Sequence, residues 1–288
     1  MATVPERCRE AAGRHVFICD FSPPRAGDAA LMDDARTLQA DFISVAYNPG
    51  RSVRVNSALG AQWVQTNTRR DAIFTIATRD MNQIAIQSLL LGAQLAGLEN
   101  VVVVQGDPMT EKDRERTKAV DDISPTQLIA AINEMNDGVD FRGSKLRAPT
   151  RFAVGATIDL HRDMAREVEL AHRKVQAGAA FFLLQAIFDP HVVKQFQTAY
   201  AKAHGPAIQQ PLFCGVQVMV PDGIVFGDTP EWVKSGLASG RSGADMALDL
   251  IKRFGDEGFT NIYLVPPILK GGARDYDAAR RVLAAFGR

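Results

Sequence analysis

Val101-Val102-Val103-Val104-Gln105-Gly106-Asp107-Pro108 is an uninterrupted run of β-branched residues that stops at a glycine, a carboxylate and a proline. Four consecutive valines show no polar/apolar alternation, so both faces of such a strand are buried, as in a parallel sheet covered by helices. Gly106 frees the backbone and Pro108 ends the strand. Asp107 is left at the carboxyl end, where open α/β sheets and β/α barrels carry their chemistry. It reads either as a site carboxylate or as a cap for the turn that follows.

Working outward, strand-like runs recur at 15–21, 41–47, 73–78, 100–105, 152–157, 180–185, 212–218 and 261–265. Helical period fills the intervals. Met164, Val168, Ala171 and Val175 fall at i, i+4, i+7 and i+11 and stop at Gly178, where a left-handed cap is expected; residues 82–96 do the same before Gly97. Eight β/α units in a chain of 288 residues predict a (β/α)8 TIM barrel of the α/β class, forming one catalytic domain over 1–288 with 1–14 as an N-terminal extension. A doubly wound sheet ranks second, because no G-x-G-x-x-G follows the first strand. The segments 109–122 and 139–150 read as loops. Residues 219–243 read as a long loop after strand 7, either a substrate cover or a decoration.

Composition narrows the function classes. An apolar content of 46% supplies a sizeable core, and 33 basic against 33 acidic residues leave no basic field for nucleic acid or an anionic membrane. No apolar run approaches the ~20 residues of a membrane span, and residues 1–14 lack a signal-peptide core, so a cytoplasmic location is expected. Cys8, Cys19 and Cys214 have no C-x-x-C spacing, and the five histidines show no H-x-x-x-H pair, so neither a disulfide framework nor a metal site is expected.

In a barrel the strand ends share one mouth. Read as a set they are Asp20, Tyr47, Thr78 with Arg79 and Asp80, Asp107, Thr157, Gln185 and Gln217. No Ser or Cys has a plausible nearby base, so a nucleophilic triad is not expected. Asp20 and Asp107 suit an acid–base pair in a hydrolase or lyase, or one of them suits a proton donor beside a redox cofactor.

These residues also carry a resemblance. Asp20-Phe21-Ser22-Pro23-Pro24-Arg25 after an apolar strand is similar to the E-F-F-P-P-R opening of the methylenetetrahydrofolate reductase family. Thr78-Arg79-Asp80-Met81-Asn82, Gln105-Gly106-Asp107-Pro108 and Arg173-Lys174-Val175-Gln176-Ala177-Gly178-Ala179, then Gln185 and Phe188-Asp189, resemble its next blocks in order and spacing, over residues 15–200. The resemblance implies a short, single-domain bacterial type without the regulatory domain of larger members. It implies FAD held across the strand ends, NADH or NADPH as electron donor, and a tetrahydrofolate substrate of one-carbon metabolism and methionine biosynthesis. Homo-oligomers or an electron-transfer partner protein are compatible with it. Asp20 falls on the position of the family's proton donor. Asp107 and Gln185 fall on positions that orient flavin and pterin. Tyr47, Thr75, Gln105, Gly106, Asp107, Thr157, His161, Glu167, Arg173 and Lys174 fall on flavin positions, and the charges of Arg173 and Lys174 suit the diphosphate. His161, Arg173 and Lys174 have surface readings as well.

The departures have consequences. The family's donor is a glutamate, and Asp20 is shorter by one methylene, ~1.5 Å. To keep a proton near neutral pH, such a donor needs burial, expected here against Phe21, and a negative neighbour, expected to be Asp107. Thr75 and Gln105 stand where some members have a histidine and an arginine near the flavin. Ile262-Tyr263-Leu264-Val265-Pro266-Pro267 replaces a strand that ends, in the best-known members, in a substrate-contacting arginine. A flavin-independent reductase of the same family, and a non-catalytic folate-binding subunit, are the remaining alternatives.

Overall fold

The computed structural model describes residues 2–225, 227 and 229–288. Eight parallel strands close into a barrel in sequence order, β1 pairing with β8. The strands are β1 Val16–Phe21, β2 Phe42–Val45, β3 Asp71–Ala77, β4 Asn100–Val104, β5 Ala153–Ile158, β6 Phe181–Ala186, β7 Leu212–Gln217 and β8 Asn261–Val265. Between and around them lie α1 Val4–Ala11, α2 Asp34–Thr37, α3 Ser57–Thr68, α4 Gln83–Leu95, α5 Glu111–Arg114, α6 Pro125–Asn136, α7 Met164–Gln176, α8 Pro190–His204, α9 Glu231–Ala238, α10 Gly243–Asp256 and α11 Tyr276–Ala284. The (β/α)8 reading holds, and the doubly wound sheet is excluded.

The valine run explains itself in this setting. Val101 and Val103 point outward into the layer between strands and helices, while Val102 points into the barrel with Ile18, Phe42, Ile73, Phe181 and Phe213. Both faces are dry, so no alternation survives in the sequence. α7 starts where Asp163 caps Arg166 N and ends before Gly178 at φ +94, as its apolar stripe predicted. α6 opens with a capping box of Ser124 and Gln127 around Pro125.

Three local results differ from the sequence reading or extend it. Residues 2–14, read only as an extension, contain α1, whose Val4 and Ala11 join the interior cluster and whose Val4 N donates to Asn100 Oδ1 at 2.8 Å. The helix therefore stoppers the barrel at the end where β4 begins. The loop 109–122 contains the single-turn helix α5, nucleated by a Thr110–Asp113 capping box. The loop 219–243 contains α9, which runs through the Ser235-Gly236-Leu237-Ala238 tract; Phe226 and Asp228 of that loop, and Met1 of the extension, lie outside the described residues.

One glycine sets the shape of the mouth. The β6–β7 register shifts between Leu183 and Ala186, and a Cβ on Gly215 would lie 2.4 Å from Leu184 O and 2.5 Å from Gln185 O. Only glycine lets β7 press this closely on the bulge, and the bulge positions Gln185 at the rim.

Candidate active site at the carboxyl ends of the strands

Closing the barrel brings β1 beside β8, and there the structure supplies partners that strand-end reading did not anticipate. Asp20 is 5% exposed. Tyr263 OH on β8 donates to its Oδ1 at 2.9 Å, and Arg274 Nη2, from the segment after β8, donates to its Oδ2 at 3.0 Å as an ion pair. Tyr276 completes this corner: its ring stacks on Phe21 at 5.3 Å, and its hydroxyl accepts from Ser22 N at 2.9 Å. Asp20 is buried as expected, but Phe21 turns to the outer layer of β1 with Phe17 and Cys19 instead of covering it, and the charge beside Asp20 is the Arg274 guanidinium. Arg54, whose Nη1 donates to Pro23 O at 2.8 Å, is a further cation near this corner, its pKa lowered by burial and by the charges of Arg274 and Arg25.

Between β3 and β4 the ladder continues beyond the strands, with Thr78 N donating to Val104 O and Arg79 N to Gln105 O. Arg79 is buried and fixed: Nε and Nη2 grip the two oxygens of Asp80 at 2.6 Å, and Nη1 donates to Asp107 O at 2.6 Å. Burial and the charge of Asp80 push the Tyr47 phenol up to about 12. Gly106 sits at φ +93, with Ala77 and Arg79 closing off the space a Cβ would need. Thr75 is only partly exposed on β3, and its carbonyl accepts from Ser57 Oγ at 2.6 Å.

Asp107 is exposed, and its Oδ2 accepts from Gly50 N at 2.8 Å, so it ties the turn after β2 to the end of β4 instead of capping its own turn. Asparagine preserves that acceptor while removing the charge. Asp107→Asn is therefore expected to keep Tm within a degree or two and, if Asp107 has the role that the resemblance implies, to lower turnover about tenfold, as measured by steady-state kinetics. Unchanged kinetics would assign Asp107 to the tie alone.

On the β5–β6 side the expected residues separate. Arg173 is exposed on the outer face of α7, whereas Lys174, one step along the helix, is buried and donates from Nζ to Thr157 O at 2.6 Å. Burial lowers the Lys174 pKa to about 8 despite the opposing charge of Glu167. Glu167, 2% exposed, accepts from Asp159 N at 3.2 Å. His161 Nε2 lies 2.7 Å from Ala186 O, and a Cβ on Gly227 would meet the same ring at 2.7 Å. Gln217 Nε2 donates to Ile224 O, and Ile224 N donates to Ile268 O. The 219–243 excursion therefore touches both the segment after β5 and the segment after β8.

A flavin ring finds suitable groups in part of this mouth. Among the described residues Thr78 Oγ1 is buried with no hydrogen-bond partner, and the half-buried Gln185 stands at the end of β6. The diphosphate set is less complete, because Lys174 spends its ammonium on the barrel wall and only Arg173 stands free. Among the described residues no cluster of His, Cys, Asp and Glu could hold a metal ion, and no helix is long and apolar enough to cross a membrane. Two outer hollows, one of about 500 Å³ near Asp34 and Arg280 and one of about 570 Å³ between α3 and α4, contain none of the strand-end residues.

Tyr263 and Arg274 are the functional candidates that sequence reading missed. The apolar-polar pattern of β8 carried a signal for Tyr263. Arg274 had none, because it lies beyond the strand end.

The chain is 22% identical over 191 residues to methylenetetrahydrofolate reductase 2 of Schizosaccharomyces pombe, a match covering 64% of this chain but only 30% of the relative. Among solved structures it shares its fold with an uncharacterised Clostridium thermocellum protein that binds two copies of 5-methyl-5,6,7,8-tetrahydrofolic acid (TM-score 0.61, 10% identity, 95% and 94% of the two chains). The fold is also that of a 2,3-dimethylmalate lyase (TM-score 0.52, 14% identity, 92% and 78%). The methylenetetrahydrofolate reductase family model matches residues 6–220, from α1 to just beyond β7, which includes all of the strand-end set. On that match, the chain belongs to the methylenetetrahydrofolate reductase family.

Proposed function

We propose that the protein is a cytoplasmic oxidoreductase that interconverts 5,10-methylenetetrahydrofolate and 5-methyltetrahydrofolate with FAD, NADH or NADPH serving as the electron donor. The observation that carries this reading is the buried Asp20 at the end of β1, held by Tyr263 and Arg274; its motif, Asp20-Phe21-Ser22-Pro23-Pro24-Arg25, resembles the one that carries the family's proton donor. The names of the fission-yeast relative and the methyltetrahydrofolate bound by the Clostridium neighbour support a folate substrate.

In this reading Asp20 exchanges a proton with N10 of the folate as the bridging C–N bond breaks or forms. Gln185 offers both a donor and an acceptor to the mixed edge of the pterin, and Asp107 a second acceptor. FAD, when bound, would supply the hydride relay; Thr78, Gly106 and Tyr47 would line its side of the mouth, and its diphosphate would be met by Arg173, and by Lys174 once that ammonium leaves Thr157 O. The engagement of Lys174 with Thr157 O supports a second reading, in which hydride passes directly from the nicotinamide without flavin.

The absorbance spectrum of the purified protein separates the two. Flavin bands that bleach on anaerobic NADH or NADPH are expected; a colourless protein that turns over folate but takes up no FAD selects the second reading. Loss of both activities in the anaerobic assay with methyltetrahydrofolate and a quinone acceptor would overturn the proposal. Gln185→Ala is expected to raise the folate KM about tenfold, the equivalent of one hydrogen bond to a polar ligand edge, and to leave FAD occupancy intact. FAD loss with normal folate affinity would place Gln185 on the cofactor side instead.

A further inference from the structure

Both oxygens of Asp20 are met by donors from the last part of the chain, Tyr263 on Oδ1 and Arg274 on Oδ2. Arg274 is not a loose surface arginine. Its side chain is 6% exposed, and its backbone is fixed by a tight hairpin in which Ile268 bridges Arg274 and Leu269 N donates to Ala273 O at 2.9 Å. Tyr263 keeps its proton, since burial and the charge of Asp20 push its phenol well above the ordinary range. The other groups that feel Asp20 are Cys19 on β1 and Tyr276 on α11, both raised by burial and so neutral, and Arg54 after β2, a second cation. Asp107, the negative neighbour expected from sequence, is engaged with Gly50 N on the turn after β2.

A carboxylate with a guanidinium on one oxygen and a phenol O–H on the other is an ion-pair partner whose remaining lone pairs accept a proton. We propose that Arg274 and Tyr263 are positioning residues that hold Asp20 ready to take the N10 proton, which sets this site for oxidising the methyl-substituted folate to its methylene form. The inference rests on the folate reading above. In that direction a hydride leaves the N5 methyl group for a two-electron acceptor of the flavin class, giving the N5 methylene iminium. The N10 lone pair then closes the C–N bond, and the proton that N10 loses passes to Asp20. The atoms and electrons balance with no further reagent.

The test is the pH–rate profile of anaerobic methyltetrahydrofolate oxidation with a quinone acceptor, for the wild-type chain, Arg274→Gln and Arg274→Lys. Removing an opposite charge from a buried carboxylate disfavours its anionic form, so the acidic limb for Arg274→Gln is expected to move up by about one pH unit or more. On that limb kcat then falls about tenfold, while KM changes less than about threefold. Arg274→Lys, which restores a cation, should bring the limb most of the way back. A stability readout accompanies the kinetics: Asp20→Asn and Arg274→Gln are each expected to lower Tm by about 5 °C or more, with the double variant losing clearly less than the sum. A coincident acidic limb, or a loss confined to KM, overturns the inference, the latter making Arg274 a substrate anchor. Absence of any wild-type turnover overturns the folate reading and this inference together, whereas turnover with an unmoved limb overturns this inference alone.

Discussion

Asp20→Asn is expected to reduce folate turnover about a thousandfold, within the range by which a positioned acid or base contributes to proton transfer. The amide matches the carboxylate in volume and can still accept the O–H of Tyr263, so the strand and the mouth keep their shape. What is lost is the charge facing Arg274 and the capacity to exchange a proton with N10. Reduction of bound flavin by the nicotinamide needs no such proton, so its rate in stopped-flow should stay within about twofold of wild type. Full folate turnover in Asp20→Asn would remove the proton-transfer role and the strongest mechanistic link to the family. Asp20→Glu restores the family side chain, but the extra ~1.5 Å has to fit between donors at 2.9 and 3.0 Å. It is expected to recover activity only in part, because placement errors of about 1 Å are costly in a near-attack geometry.

The same corner shows what the sequence could and could not reveal. The eight strands were legible because each is buried on both faces or on one, and the helices between them carry a 3.6-residue stripe stopped by glycine. The strand-end placement of Asp20, Asp107 and Gln185 was legible because a parallel barrel brings every strand end to one mouth. Arg274 was not, since it is 254 positions from Asp20 and sits on a hairpin beyond β8, where no periodicity or strand-end rule points. Its arrival changes the electrostatic expectation for Asp20 from a neighbouring carboxylate to a neighbouring cation. The sequence already showed that β8 lacks the arginine that ends this strand in the best-known family members; the structure adds that a guanidinium reaches the mouth from the following loop.

Smaller misreadings have equally local causes. The Ser235-Gly236 tract reads as loop by propensity, yet α9 runs through it. Val233 is buried there, and Gly236 lies so close to Met246 that a Cβ would stand 2.6 Å from its sulfur. Tertiary packing overrides a propensity difference of about 1 kcal/mol for one glycine. For α7 the stripe predicted the helix correctly but could not show that Arg173 and Lys174, adjacent in sequence, diverge by the 100° of one helical step. One reaches solvent and the other the wall.

That divergence makes Lys174 the site of the second large effect. Its pKa of about 8 lies below the ordinary 10.5 of an exposed lysine, so the folded chain releases this proton before the unfolded chain does. Below pH 8 both states are charged and the folded state bears the full cost of the buried ammonium. As pH rises from 8 to 10.5 the unfolded state binds more protons, so stability rises across that window. The lowered pKa corresponds to about 3 kcal/mol at pH 7, with the attraction of Glu167 already included. Lys174→Met removes that cost and forfeits the hydrogen bond to Thr157 O, worth about 1 kcal/mol net. The variant is therefore expected to raise Tm at pH 7 by about 4 °C, an advantage that shrinks by pH 10. If Lys174 turns from the carbonyl to a phosphate when FAD binds, the same variant loses a charge-assisted hydrogen bond, and FAD affinity by fluorescence titration should weaken about tenfold or more. Higher stability with unchanged FAD affinity would make Lys174 part of the barrel wall and leave the diphosphate to Arg173. Lower stability would show that the ammonium is held more favourably than its burial indicates.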